Sequence, residues 1–257
     1  MTLARALRAE ALKMKRTLAL KMVVLAPVAV VLLTLFMASQ APSGTLRRGG
    51  IVVNPWIALT RVNLQFWGLL MLPLYVALQT ALIAGLDHAD SQWKALFARP
   101  VPRWTIYVAK LALTAAMTAA SAAILVAGLL AEGAFLRWYD VSLGFAAAVP
   151  VATIVSQAAQ VTALAFLFLT IQHWVSLRWK SFSVAIGFGI VAMVTSFAML
   201  LASGQYGAWP QYFPWSLPML VMARQPQNIA AVLWIGGVAG TATSVAGCID
   251  FCRREVS

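Results

Sequence analysis

Leu111–Ala131 reads LALTAAMTAASAAILVAGLLA, a run with no charged residue. At about 1.5 Å of rise per residue it can cross a hydrocarbon core of about 30 Å as a helix. Five more uncharged runs flank it: Met22–Ala38, Phe66–Ala84, Leu143–Ile171, Phe182–Ala202 and Ile229–Ile249. The first is short and extends past Lys21, whose stem can snorkel. Leu143–Ile171 is long enough to tilt or kink, with Pro150 near its start. Backbone groups in lipid must be satisfied internally, and no alternating strand pattern appears, so each run predicts a helix. The expected fold is all-α, a polytopic membrane protein with six transmembrane helices in one domain over residues 1–257.

Composition agrees. Hydrophobic residues make up 62% of the 257 and charged residues only 10%, where a soluble domain carries roughly 25%. The net charge of +12 points to orientation rather than to nucleic acid, since no basic run interleaved with aromatics could track a phosphate backbone. With the N-terminus inside, the inner segments hold Arg5, Arg8, Lys13, Lys15, Arg16, Lys21, Lys94, Arg99, Arg103, Lys110, Arg178, Lys180, Arg253 and Arg254. The outer segments hold Arg47, Arg48, Arg61, Arg137 and Arg224. The excess predicts cytoplasmic termini. No small-residue cleavage site follows the first run, which predicts a retained span. Cys248 and Cys252 do not make a disulfide framework and read as reduced thiols near the cytoplasmic face.

Three segments between the runs have features of their own. In residues 1–20, Leu3, Leu7, Ala11, Met14 and Leu18 follow helical spacing, with Arg5, Arg8, Lys15 and Arg16 mostly off that stripe. This pattern predicts an interfacial helix, apolar side toward lipid; a basic tail without fixed structure is the plainer alternative. In the first inner loop, Asp90 or Ser91 can cap a short helix that Pro100 stops. That helix, over 89–99, projects Trp93, Leu96 and Phe97 as a docking surface; the alternative is Trp93 lying at headgroup level. Arg103 and Lys110 are expected near the headgroups, fixing the depth of the third span. The outer segment 204–228 is rich in aromatics and Pro: Tyr206, Trp209, Pro210, Tyr212, Phe213, Pro214, Trp215 and Pro218. It is expected to fold back onto the membrane as a re-entrant hairpin or aromatic belt.

Several chemistries lack their residues. No Gly-Lys dipeptide occurs, so there is no G-x-x-x-x-G-K-S/T phosphate loop. His88 and His173 are the only histidines, without H-E-x-x-H spacing or nearby ligands. No acidic residue falls in a predicted run, which argues against an ion-coupled carrier. A serine protease would need an activating base at membrane depth, and neither histidine is expected there. The runs do carry uncharged polar stripes: Thr114, Thr118 and Ser121 on the third, and Thr153, Ser156, Gln157 and Gln160 on the fourth. These line a pathway or pack helices together. Gly236, Gly240 and Gly247, with Ser244, give the sixth run a small-residue face suited to helix packing.

The order of parts resembles the ABC-2 type permeases of ATP-binding cassette exporters, and among them the lantibiotic-protection type. The residues that carry the resemblance are Gln92-Trp93-Lys94, then Ala98-Arg99-Pro100-Val101-Pro102-Arg103 leading to Lys110, and Phe213-Pro214-Trp215-Ser216-Leu217-Pro218 in the outer hairpin. The resemblance implies a permease subunit with a coupling helix, bearing Gln92, Trp93, Lys94, Leu96, Phe97 and Arg99, that docks on a separate cytoplasmic ATPase. That ATPase would bind ATP and Mg, leaving no cofactor in this chain. It further implies a second permease chain, same or related, and a hairpin capping the pathway. The setting would be the plasma membrane of a bacterium, and the substrate an antimicrobial peptide or other lipophilic compound. This chain departs from the pattern at Asp87-His88-Ala89-Asp90, where such loops often carry Glu. The rival reading is a membrane scaffold or sensor that transports nothing.

Overall fold

The computed structural model describes residues 3–40, 54–88, 102–202, 212–222 and 228–253. Helix α1 is Leu3–Lys13 and α2 is Leu18–Ser39. Between them Arg16 adopts φ 65°, a left-handed turn that side chains other than Gly rarely take. Thr17 then caps α2, its hydroxyl accepting from Leu20 N. α3 is Pro55–Phe66, and it runs through a π-helical turn, Trp67–Met71, into α4, Leu72–His88. Pro55 at the first helical turn lacks only an amide the helix would leave unpaired, and Asn54 caps it by accepting from Trp56 N at 3.0 Å.

α5, Arg103–Tyr139, is the longest element. α6 is Val151–Leu164, α7 Phe166–Arg178, α8 Phe182–Ala202 and α9 Ile229–Arg253; a 3₁₀ segment, Leu217–Met222, precedes α9. Among the described residues, six helical segments are long and apolar enough to cross a membrane: Leu18–Ser39, Pro55–Asp87, Arg103–Tyr139, Val151–Arg178, Phe182–Ala202 and Ile229–Arg253. Six crossings place α1 and the end of α9 at one end of the bundle, the terminal end. The α2–α3 and α5–α6 connections lie at the other, distal end. Arg103 Nη1 donates to Cys252 O at 3.2 Å and ties α5 to α9 at the terminal end.

The fourth span differs from its uncharged run. Residues 144–149 are not helical: Gly144 turns the chain at φ 79°, and the helix starts at Val151, after Pro150. It continues past Ile171 to Arg178, and is interrupted at Ala165, which ends α6 and starts α7. Proline therefore marks the start of the helix, not a kink within it. The main core gathers Trp67, Tyr75, Tyr107, Phe168, Trp215 and Phe251 between α3, α4, α5, α7, α9 and the 3₁₀ segment. α8 and α9 are the least buried spans. The expected coupling helix over 89–99 lies outside the described residues, as does the hairpin 204–228 apart from residues 212–222 and Asn228.

Candidate functional site

Four charged side chains close a ring at the terminal end. Lys13 Nζ lies 2.7 Å from Glu10 Oε1 and 3.0 Å from Asp87 Oδ1. Lys110 Nζ lies 2.7 Å from Glu10 Oε2 and 2.5 Å from Asp87 Oδ2. Each carboxylate thus gives one oxygen to each lysine, and the ring is neutral. Asp87 and Lys110 are fully buried, and Glu10 nearly so. Charges survive such burial only when paired and hydrogen-bonded. Burial alone would pull the Lys13 ammonium down, but Glu10 and Asp87 outweigh it and hold its pKa above the ordinary lysine value. Met14, Ala19, Val23, Ile83 and Met117 form the apolar floor beside the ring.

The ring joins three helices: Glu10 and Lys13 are on α1, Asp87 ends the second span, and Lys110 lies in the second turn of α5. Residues 89–101 are the chain between α4 and α5. The ring therefore ties α1, α4 and α5 together at the two ends of that connection. Trp174 Nε1 donates to Asp250 Oδ2 at 3.0 Å, and Arg178 Nε is 3.9 Å from the same oxygen, so α7 is tied to α9 at this end too.

Deeper in the bundle, three irregular elements meet: the π turn, the α6–α7 break and the 3₁₀ segment. Trp215 stacks on Phe168 at 5.7 Å and on Phe213 at 5.6 Å, and meets Phe188 edge-on at 5.8 Å. Ser216 and Ser196 hydroxyls are 2.9 Å apart. Gly68, in the π turn, lies against the Met219 methyl group, with Val161 Cγ1 and Pro218 Cβ also beside it; a side chain there would collide with the 3₁₀ segment. Beside this junction an open groove of about 800 Å³ runs between α3, α8 and the 3₁₀ segment, lined among others by Phe66, Leu70, Met193, Phe197 and Met219. Its walls are almost wholly apolar, with Gln65 one of the few polar groups. A second groove, of about 710 Å³, lies between α5, α6 and α9 and is lined mainly by alanines such as Ala115, Ala119, Ala122, Ala159 and Ala163.

The family model described as ABC-2 family transporter protein matches residues 6–197. This covers three quarters of the chain, including all four ring residues. The chain belongs to the ABC-2 transporter family. No curated protein and no solved structure matches it. It is a multi-pass transmembrane permease.

The permease separates the residues that its sequence singled out. Gln92, Trp93, Lys94, Leu96, Phe97 and Arg99 lie outside the described residues. Thr114, Thr118 and Ser121 are buried on α5; Thr114 donates to Lys110 O and Thr118 to Thr114 O, as packed helix residues do. Thr153 and Ser156 are exposed, and Gln157 and Gln160 half-buried, on the outer face of α6. The two stripes are therefore not joined into one lining. Gly236, Gly240 and Gly247 are buried, facing Leu164, Phe166 and Trp174 respectively.

Two expectations are corrected. Lys110 does not sit among headgroups; its ammonium is enclosed by Glu10 and Asp87. A carboxyl also lies inside a span: α5 runs on to Tyr139 and carries Glu132, which is 2% exposed. The uncharged run stopped one residue short of it, although nothing in 132–139 breaks a helix. The bundle therefore does hold an acid of the kind an ion-coupled carrier uses. In the interfacial stripe, Leu3, Ala11 and Leu18 are exposed, but Met14 is buried and Leu7 half-buried. α1 instead buries Ala6 and Glu10. The pairing of Glu10, Lys13 and Asp87 was not read from the sequence; its signal was the two acids, Glu10 and Asp87, within otherwise basic or apolar segments.

Proposed function

We propose that the permease is the membrane subunit of an exporter driven by a separate cytoplasmic ATPase, which binds the ATP and Mg. In this reading both termini are cytoplasmic and the membrane is a bacterial plasma membrane. A second permease chain, same or related, completes the pathway. The ATPase docks on residues 89–101 through Trp93 and Phe97. The observation that carries the reading is the neutral charged ring, which clamps α1, α4 and α5 together at the ends of that connection. A transmitted push needs such a rigid base, because packed elements shift as units rather than deform.

The apolar groove beside the π turn supports a hydrophobic or amphipathic substrate, such as an antimicrobial peptide or other lipophilic compound. Its Met and Phe side chains fit varied apolar shapes. The interruptions at Trp67–Met71 and Ala165 are where irregular backbone sits inside a bundle and where helices can rearrange.

The test is efflux of a lipophilic fluorescent dye from cells expressing the permease with its ATPase. Wild type should lower cell fluorescence below an empty-vector control. Per permease molecule in the membrane, Lys110→Met should abolish this, and Lys110→Arg, which keeps the charge, should retain part of it. Full efflux by Lys110→Met would overturn the coupling role of the ring. Wild-type efflux no greater than the control, across dyes and antimicrobial peptides, would favour the scaffold.

A further inference from the structure

Glu132, near the distal end of α5, joins three helices in a second polar contact. Its Oε2 receives a hydrogen bond from Asn63 Nδ2 of α3 at 3.0 Å and lies 3.1 Å from Thr34 Oγ1 of α2. Asn63 is fully buried, and Thr34 and Glu132 are 2% exposed. Around them pack Trp56, Leu59, Leu129 and Leu136, and the Trp56 ring covers Gly133, the next residue on α5. Roughly 33 Å of helix separates Glu132 from Lys110 at about 1.5 Å per residue.

No cation pairs with this carboxyl among the described residues. α2 carries no charge after Lys21, and α6 carries none. Arg61 on α3 and Arg137 and Tyr139 on α5 are exposed. Asp140, the remaining titratable group nearby, accepts from Ser142 N at 2.8 Å.

Counting hydrogens decides what the site holds. Thr34 has one hydroxyl hydrogen and four oxygens in reach: Val30 O at 3.0 Å, Val31 O at 3.1 Å, Glu132 Oε2 at 3.1 Å and Asn63 Oδ1 at 3.3 Å. Asn63 has two amide hydrogens, one directed to Leu59 O at 3.2 Å and one to Glu132. An ionised Glu132 would thus have one dedicated donor, a quarter share in another, and an Oε1 with no partner among the described residues. A lone carboxylate buried in apolar surroundings is far too costly on those terms. One added proton resolves the arrangement. Placed on Oε2, it is donated to Thr34 Oγ1, and the Thr34 hydrogen is left for its own backbone at Val30 O. The Oε1 carbonyl and the Asn63 amide oxygen, whose one donor in reach among the described residues is Thr34, then stay unpaired, and both are neutral.

We propose that Glu132 is a proton-binding site, occupied while α2, α3 and α5 are in contact and emptied to the distal side when that contact opens to water. The acid is the donor that the triad lacks. Opening would hydrate the carboxyl and release its proton; closing would take one up. The inference does not depend on what the permease transports.

The test is infrared difference spectroscopy of the purified permease in lipid vesicles at neutral pH, wild type minus Glu132→Gln. The expected result is a carbonyl band of a protonated carboxylic acid present only in wild type. Carboxylate bands in its place would overturn the proposal, and would point to an ion pair with a residue such as Arg47 or Arg48, outside the described residues. Thermal unfolding gives an independent arm. Glu132→Gln keeps a neutral donor and should unfold near the wild-type temperature at neutral pH, whereas Glu132→Ala should unfold lower. Raising the pH should destabilise wild type relative to Glu132→Gln, because ionisation is favoured only in the open form. Parallel pH curves for the two proteins would contradict the proposal even if the infrared signal were too weak to read.

Discussion

The two ends of α5 solve the burial of polar groups in opposite ways. At the terminal end Lys110 enters a ring of two ammoniums and two carboxylates, in which every charge has two opposite partners. At the distal end Glu132 meets, among the described residues, an amide and a hydroxyl. Both contacts bind three helices, α1–α4–α5 in one case and α2–α3–α5 in the other. The first is held by two ammoniums and two carboxylates paired with one another, as suits a contact that keeps its shape. The second is held by one labile proton, as suits a contact that opens and closes.

Breaking the ring should have the largest effect. Lys110→Met strands the Glu10 and Asp87 carboxylates around an apolar side chain. Removing one partner of a buried ion pair costs about 3–5 kcal/mol, so the unfolding temperature in detergent should drop steeply, far more than for Glu132→Gln. Equal losses from both would erase the distinction between the two ends.

An apolar contact provides the middle case. A Cβ at Gly240 would stand 2.6 Å from Phe166 Cδ1 and 3.4 Å from Leu167 Cα. Gly240→Leu should therefore force α7 and α9 apart, at the roughly 1–3 kcal/mol typical of overpacking. Its loss should be the same at every pH. If Gly240→Leu unfolds like wild type, the α7–α9 contact is looser than the fold requires.

The smallest effect expected concerns pH at the ring. The Lys13 pKa is raised above 10.5. A raised lysine contributes its full stabilisation below its unfolded value and loses it only as pH climbs through the folded one. Between about pH 6 and 9 Lys13 stays charged in both states, so wild type and Lys13→Met should differ in stability by a constant amount. The gap should close only in strong alkali. A gap that changes between neutral pH and pH 9 would mean the ring is proton-labile like the distal triad.

The sequence made the six crossings legible because lipid leaves only helices of sufficient apolar length. It did not reveal where the helices end. Lys110 and Glu132 immediately flank the run Leu111–Ala131, and a charge at each end of an apolar run predicts the edge of the membrane. Each is instead inside α5, buried by partners far along the chain: Glu10 is 100 residues from Lys110, and Thr34 is 98 from Glu132. No local pattern announces such a pairing. The fourth span misled for a related reason. Absence of charge extends from Leu143, but the helix begins only where Pro150 and the Gly144 turn allow it. In the described part of the Pro- and aromatic-rich segment, Trp215 packs against Phe168 and Phe188 of the bundle.

The central claim is that energy enters through the connection between α4 and α5. The direct measurement is co-purification of the ATPase with a permease carrying Trp93→Ala and Phe97→Ala, alongside dye efflux. A buried aromatic anchor contributes about 2 kcal/mol or more to an interface, so losing two should release the ATPase. The predicted result is normal permease in the membrane, no ATPase in the purified fraction, and no efflux. An ATPase still bound and efflux still running in the double variant would contradict the account.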